Sequence, residues 1–596
     1  MKLNDVLRIG EVSEVYGKQI KAGIYYEKNN EFLNFNGDAI KNVSIGSFVI
    51  IRKSYINIVG KVEGEFIKER TSNDYVSFKG SNINRVVSIS VLGIIKKDKF
   101  IHGLNSLPMV GNYVYIATED IVNKIFTNSN SEDTITLGNI IGIDDYPFAV
   151  NCQNLLCSHI GVFGNTGSGK SNTLAKIYKD TIDKFSIYNN FKKNAEFVII
   201  DFNGEYGNVF DNCNIFKLST RSKRTQKYPL TLDDITDIEF WSIILEATDK
   251  TQKPFIERTI KEFKSIAKTD YNELVDLVFN SSDRYTEIRL YIKELFKILN
   301  IEKHYLNIEE HLFYNTKQKC FYKVNDDGRT EYTITKADIY EIAFENKDNA
   351  IISFEKYSYF DKFAIALYKQ YCKEISKTFI TKEHIGPLMS RFRTRIEQLD
   401  KVFDIKKDIA NEAKSNVNVI SLIDLNIEMR KIIPLIICKK YYNKKKENKN
   451  KTISSTLHII IDEAHNILST TSIRESEEWK DYRLECFEEI IKEGRKFGTF
   501  LTIASQRPSD ISDTIISQLH NYFIHKLVNE EDLRKIYRVL AFSDKATNEM
   551  ISILPAGGCV FSGLATNFPV LVQIEKLDSR HEPSSKNASI NKIWID

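Results

Sequence analysis

The stretch His159-Ile160-Gly161-Val162-Phe163-Gly164-Asn165-Thr166-Gly167-Ser168-Gly169-Lys170-Ser171 joins a short apolar run to the spacing G-x-x-x-x-G-K-[ST], and a helix-period run follows. That context, strand then loop then helix, is what the spacing requires to be meaningful. Glycine at 164, 167 and 169 lets the backbone turn its N–H groups inward around an anion, and the helix adds the positive end of its dipole at the same place. In such a loop, Lys170 reaches the β- and γ-phosphates of a nucleoside triphosphate and Ser171 ligates Mg²⁺. The nucleotide-binding set is then Gly164, Asn165, Thr166, Gly167, Ser168, Gly169, Lys170 and Ser171, and the cofactors are ATP and Mg²⁺.

Hydrolysis also needs one carboxylate for the metal and one for the attacking water, carried at the end of a neighbouring strand. Leu457-His458-Ile459-Ile460-Ile461-Asp462-Glu463 supplies both. Asp462 would hold Mg²⁺ through water, and Glu463 would polarise the nucleophile. Taken alone, an apolar strand ending in Asp-Glu is equally the start of a helix. Opposite a phosphate loop it becomes the second half of a hydrolytic site. Another acidic strand end, Phe197 to Ile200 followed by Asp201-Phe202-Asn203-Gly204-Glu205-Tyr206, comes one helix after the loop, where its carboxylates reach the same crevice. Downstream, Thr499 to Ala504 ends in Ser505-Gln506-Arg507-Pro508, and Gln506 is placed to hydrogen-bond the water or the γ-phosphate. Arg495, in Glu493-Gly494-Arg495-Lys496, is a candidate arginine finger for a neighbouring subunit. An isolated arginine there also reads as a surface charge.

Outward from these motifs, the chain reads as an α/β RecA-like P-loop core with a helical insertion, preceded by a small all-β barrel. Residues 1–130 carry short Val/Ile/Tyr/Phe runs broken by Gly, Asn and Ser, such as Gly46 to Ile51 and Ile58 to Val62, the rhythm of a barrel. Thr127 to Asp133 reads as a linker. The core occupies 131–229 and resumes over 411–575, with strand-like runs at His159–Phe163, Phe197–Ile200, Val417–Leu425, Leu457–Ile461, Thr499–Ala504, Tyr522–Leu527 and Gly558–Phe561. Between them, 230–410 turns to charged, helix-period sequence, with Leu388, Phe392, Ile396, Leu399 and Phe403 forming one buried face and a small hairpin within 320–345. Asn443 to Lys451 reads as a solvated Lys/Asn-rich loop, and 576–596 as a C-terminal extension.

At 596 residues the chain exceeds the roughly 250–300 at which single cores stop growing, so several domains are expected. Lys+Arg (83) nearly balance Asp+Glu (80), so any nucleic-acid contact must come from clustered charge. Arg221, Lys223, Arg224 and Lys227 form such a cluster, as do Arg391, Arg393 and Arg395, although solvated faces account for both. The eight cysteines show neither CxxC pairs nor Cys/His ligand spacing, which argues against zinc and a disulfide framework. Apolar runs such as Ile432 to Cys438 fall short of the ~20 residues that cross a bilayer, and the N-terminus has no leader pattern. A cytoplasmic protein without membrane association is expected.

Together these residues resemble the HerA family within the HerA/FtsK branch of P-loop ATPases. The resemblance rests on Gly164 to Ser171 with Asn172-Thr173, on Asp201 to Tyr206 as the family's D-x-x-G-E-Y, on Ile461-Asp462-Glu463-Ala464-His465, on Gly494-Arg495-Lys496 and on Ser505-Gln506-Arg507-Pro508. The N-terminal segment is similar to the HerA/ATP-synthase barrel at Phe100-Ile101-His102-Gly103 and Leu107-Pro108-Met109-Val110-Gly111-Asn112-Tyr113-Val114. The resemblance implies a homo-hexameric ring that binds ATP between subunits and drives double-stranded DNA through its channel as a translocase or helicase. It adds Asn172 to the nucleotide set and gives Asp201 or Glu205 a supporting role toward metal or water. Lys170, Ser171, Asp462 and Glu463 then act in cis and Arg495 from the neighbour. Ser158 stands where some relatives carry a basic residue, so no cis arginine is expected there. The resemblance further implies a separate partner, a nuclease or a sirtuin-like NAD-consuming effector, in DNA end processing or, the preferred setting, antiviral defence.

Two rival readings remain. A regulatory ATP-binding scaffold that assembles and switches an effector would have nearly the same sequence. A membrane DNA pump would need an anchor that no apolar run supplies.

Overall fold

The computed structural model describes residues 5–17, 19–35, 38–68, 84–103, 106–126, 133–143, 146–222, 226–281, 284–325, 328–344, 351–406, 415–447, 453–471, 475–540 and 545–584. Most of the expected linker (127–132), Lys223 and Arg224 of the basic cluster, 448–451 of the Lys/Asn-rich stretch and 585–596 of the extension lie outside the described residues. The chain divides into two units. One comprises Met1–Asn214, Ser415–Val419 and Tyr441–Asp596, the other Ile215–Lys414 and Ile420–Lys440.

In the first unit, six antiparallel strands close on themselves. Arg8–Tyr16 pairs with Gln19–Ile24 and Tyr113–Ile116, Phe48–Lys53 lies between Tyr113–Ile116 and Ile56–Lys68, and Asn84–Lys96 bonds both Ile56–Lys68 and Gln19–Ile24. Closure removes the free edges that a small sheet would otherwise expose. Phe48-Val49-Ile50-Ile51 shows why the strands read as continuous apolar runs instead of alternating ones. All four are buried, but Val49 and Ile51 point into the barrel with Ile20, Ile58 and Ile89, whereas Phe48 and Ile50 face a second apolar cluster shared with the α/β core. A strand buried on both faces has no polar side to show.

The core sheet is built around Ile160–Phe163, which runs parallel to Thr499–Ser505 on one side and to Asn521–His525 on the other. Beyond Thr499–Ser505 come Thr456–Ile461 and Ala195–Asp201, both parallel, and then Val417–Asp424. On the opposite side Gly558–Gly563, Val570–Ile574, Thr134–Ile140 and Pro147–Asn151 follow antiparallel. The register decides where chemistry can happen. Phe163 is level with Ser505, Ile461 with Ile503, and Ile200 with Ile461, so Gly164, Gln506, Asp462 and Asp201 all emerge at one edge. Ligand crevices of open α/β sheets form at the carboxyl ends of the strands. The expected fold class, a barrel ahead of an α/β core with a large, mostly parallel sheet, is therefore what the chain adopts.

The second unit is mainly helical. Trp241 stacks on Phe363 with centroids 3.5 Å apart, and its indole Nε1–H donates to the Ile235 carbonyl at 2.8 Å. The helix Lys382–Val402 buries Leu388, Phe392 and Leu399, but also Arg395, which is ion-paired with Glu246 and Glu428. Arg391 donates to the Glu246 carbonyl at 3.4 Å, which leaves Arg393 as the exposed member of that trio. Cys320–Val324 pairs with Phe313–Asn315 and Thr330–Glu331, placing a three-stranded piece where a hairpin was expected. The expectation of a loop from Asn443 needs correction. Asn443 to Glu447 complete the helix Met429–Glu447, whose last turn carries Lys444, Lys445 and Lys446. Cations at a helix C-terminus are favoured by its dipole, so the lysine run continues the helix. Among the described residues no helix is long and apolar enough to cross a membrane.

Candidate nucleotide site

Between Phe163 and the helix Lys170–Phe185 the loop is pinned from several sides. The Gly164 N–H donates to the Ser505 carbonyl at 3.3 Å, Asn165 N–H to Lys526 at 2.9 Å, and the Ser168 carbonyl accepts from Gly557 N–H at 2.9 Å. Two glycines are there by necessity. A Cβ on Gly164 would stand 2.5 Å from His525 Cβ, and one on Gly169, at φ +113°, 2.8 Å from Gly557 Cα. Lys170 is nearly buried, and its Nζ donates to the Asn165 carbonyl at 3.1 Å. Burial pulls its pKa down, against the opposing charges of Glu463, Asp462 and Glu205. A buried ammonium resting on its own loop is poised for a stronger anionic partner.

Asp462 and Glu463 are adjacent in sequence and treated oppositely by the fold. Asp462 is 1% exposed and neither carboxylate oxygen has a hydrogen-bond partner. Burial, and then the charges of Glu463, Glu205 and Asp201, push it well above its ordinary range. Glu463 adopts φ +48°, a conformation uncommon for residues other than glycine and often found at functional sites. Its neighbour's N–H fixes it to the sheet, Ala464 donating to Ala504 at 2.8 Å. Burial would raise its carboxyl too, but His465, 3.3 Å from Oε2, the Gln506 amide and Lys170 hold it below the ordinary value. Two carboxylates whose environments push their pKa values apart are suited to different tasks.

Gln506 joins the two halves of the site. Its Oε1 accepts from Thr166 Oγ1 at 2.5 Å, while its Nε2 donates to Glu463 Oε1. Asp201, fully buried, has taken up a local task. Its Oδ1 accepts from Gly204 N–H at 2.7 Å and Glu205 N–H at 3.1 Å, and its Oδ2 from Tyr206 N–H at 3.1 Å. Burial raises its pKa against those three donors. The turn it shapes delivers Glu205, half-buried, into the field of Lys170 and Asp462.

Two expected residues stand elsewhere in the chain. Asn172 faces the C-terminal segment, its Nδ2 donating to the Glu575 carbonyl at 3.0 Å and its Oδ1 accepting from Leu577 N–H at 3.2 Å. Arg495 is exposed on the short turn Gly494–Phe497, ahead of the strand that Gln506 follows. With ~3.3 Å of rise per strand residue, the two lie roughly 20 Å apart. Arg495 therefore does not reach its own phosphate loop.

The sequence motifs leave two more groups without a role. His525 is fully buried behind the loop, with Nδ1 2.9 Å from the Gly558 carbonyl and Nε2 2.9 Å from Thr173 Oγ1. The carbonyl can only accept, so Nδ1 carries the proton and Nε2 accepts from the Thr173 hydroxyl. Burial lowers the pKa to about 4 and keeps the ring neutral. Tyr206 is fully buried beside Ser171, and burial together with the charges of Asp462, Glu205 and Asp201 raises its phenol well above the ordinary value.

The donors suit a magnesium nucleotide. Mg²⁺ in phosphoryl-transfer sites takes one or two protein oxygens and fills its octahedron with phosphate and water. Asp462, with two unpartnered buried oxygens, and Ser171 match that demand. Among the described residues no group of three or more His, Cys, Asp and Glu could hold a metal ion.

Residues 135–375 match the family model described as Helicase HerA, central domain. The chain is 25% identical over 489 residues to the DNA double-strand break repair helicase HerA of Sulfurisphaera tokodaii, covering 80% of this chain and 76% of the relative. It is 23% identical over 593 residues to the protein of the same name from Sulfolobus acidocaldarius, covering 97% and 93%. Among solved structures it is similar to VirB4 of Thermoanaerobacter pseudethanolicus, with a TM-score of 0.41 and 13% identity over 76% of this chain and 99% of that one.

Proposed function

We propose, since the chain belongs to the HerA helicase family, that it hydrolyses ATP as a ring-forming motor on double-stranded DNA. The observation that carries the proposal is the convergence, at one sheet edge, of the Lys170 loop, the Asp462–Glu463 pair and the Gln506 bridge. Lys170 and the loop N–H groups hold the phosphates, and Ser171 and Asp462 hold the metal, which neutralises charge on the transferred group. Glu463, kept ionised, orients and deprotonates the attacking water. Gln506 contacts both the phosphate loop and that carboxylate, so it can report whether the γ-phosphate is present. The names of the relatives, DNA double-strand break repair helicases, support DNA as the track. A separate nuclease or NAD-consuming effector completes the proposal, in end processing or antiviral defence.

Steady-state ATP hydrolysis with and without long linear duplex DNA tests this reading. Strong stimulation by duplex is expected. Hydrolysis indifferent to DNA would sink the motor and favour the scaffold.

The position of Arg495 gives a prediction about assembly. Since it cannot serve its own loop, we propose that it enters a neighbouring subunit's site. Arg495→Ala should be inactive alone, and should regain part of its turnover when mixed with a Glu463→Gln ring, because complete interfaces form again. Failure of such mixtures, with subunit exchange verified by labelled protein, would exclude an arginine acting in trans.

A further inference from the structure

The segment Glu575–Ser584 runs from the first turns of the helix Lys170–Phe185 to the loop that carries Glu205, and its course is set by side chains. Asn172 grips it through the Glu575 carbonyl and the Leu577 N–H. Lys176 Nζ lies 2.9 Å from Glu575 Oε2. His581 bridges two carboxylates, with Nδ1 2.9 Å from Asp578 and Nε2 3.0 Å from Asp211. Lys179, on the same helix, ties Asp211 down at 2.9 Å. At the far end the Ser584 N–H donates to the Glu205 carbonyl at 3.0 Å.

That last bond completes the hold on one residue. The Asp201 carboxylate already accepts the N–H groups of Gly204, Glu205 and Tyr206. The Glu205 backbone is thus fixed through its own N–H on one side and its own carbonyl on the other, and Asn203 Nδ2 donates to its carboxylate at 3.4 Å. We propose that Glu575–Ser584 is a strap that positions Glu205 beside Lys170 and Asp462, with Asn172, His581 and Ser584 as positioning residues. The proposal rests on the nucleotide-site reading above, and it moves Asn172 from direct nucleotide contact to the anchoring of this strap. Pre-organisation is what such a device contributes, since a small misplacement of a catalytic group costs much of its effect.

The test uses the full-length protein and two substitutions at one position. Ser584→Pro removes the donor N–H, whereas Ser584→Ala keeps it and removes only the hydroxyl, whose contact to the same Glu205 carbonyl is longer, at 3.5 Å. In Ser584→Pro, hydrogen exchange of the Gly204–Tyr206 amides should quicken, and kcat for ATP should fall about five-fold with KM changed less than about two-fold, the effect of one lost hydrogen bond. Ser584→Ala should stay close to the parent, because the shorter N–H bond to Glu205 is intact. In a Glu205→Gln background the additional loss from Ser584→Pro should vanish, because the strap acts through Glu205. Equal exchange and turnover in Ser584→Pro and Ser584→Ala would overturn the strap, as would a loss undiminished in the Glu205→Gln background. Quickened exchange in Ser584→Pro, with a parent protein that hydrolyses no ATP, would support the strap and sink the hydrolytic reading instead.

Discussion

Lys170→Ala is expected to abolish ATP hydrolysis, with a drop of about a thousand-fold or more in kcat/KM, and to weaken nucleotide binding as well. Lys170 is the cation set among Glu463, Asp462 and Glu205. Its removal leaves three acidic side chains facing the incoming phosphates without the protein cation set among them. Like charges in a partly buried site repel strongly because water screens them poorly. The fold should tolerate the change, since the ammonium donates to the Asn165 carbonyl of its own loop and that loop is pinned independently through Ser505, Lys526 and Gly557. Phosphate release, titration with a fluorescent nucleotide and a melting curve would separate these effects. Retained turnover would remove the loop from the reaction. Lost turnover with a collapsed Tm would mean that the lysine holds the fold.

How much of this could be read from the sequence follows from which interactions are local. The phosphate loop is legible because its conformation and its chemistry reside in adjacent residues. Asp462 and Glu463 are legible because a buried parallel strand must be apolar and must end in its functional group. The opposite treatment of the two carboxylates is not legible, since it depends on His465 and Gln506 reaching Glu463 and not Asp462. Long-range partners set side-chain roles that local spacing does not reveal. Asn172 sits within the motif but spends its amide on a segment 403 residues away. Arg395, whose spacing with Arg391 and Arg393 suggested a basic face, is buried against Glu246, 149 residues distant. His525 carries no motif signal at all, and its place behind Gly164 appears only when two parallel strands are laid side by side. The Lys444–Lys446 run departs from its expected loop for a different reason. Composition suggests solvent, and a helix terminus satisfies the same composition.

Glu463→Gln should separate binding from chemistry. Glutamine keeps the length of the side chain and an oxygen that can accept from Gln506, so the bridge from Thr166 through Gln506 survives. What goes is the charge that Lys170, His465 and Gln506 together hold below its ordinary pKa. A neutral amide cannot take a proton from water, and kcat should fall about 10²–10⁴-fold, the usual contribution of a general base. Binding should hold or tighten. The Glu463 charge is the largest of those that push Asp462 upward after burial, so its removal makes Asp462 easier to ionise and a better partner for the metal. Single-turnover measurements should therefore show ATP retained unhydrolysed on the protein. Turnover near that of the parent would shift the water-activating role to Glu205, which its own turn delivers to the same edge, and Glu205→Gln would then take the large loss. If instead both variants lose activity and only Glu463→Gln traps ATP, Glu463 is the base and Glu205 the residue whose placement the strap protects.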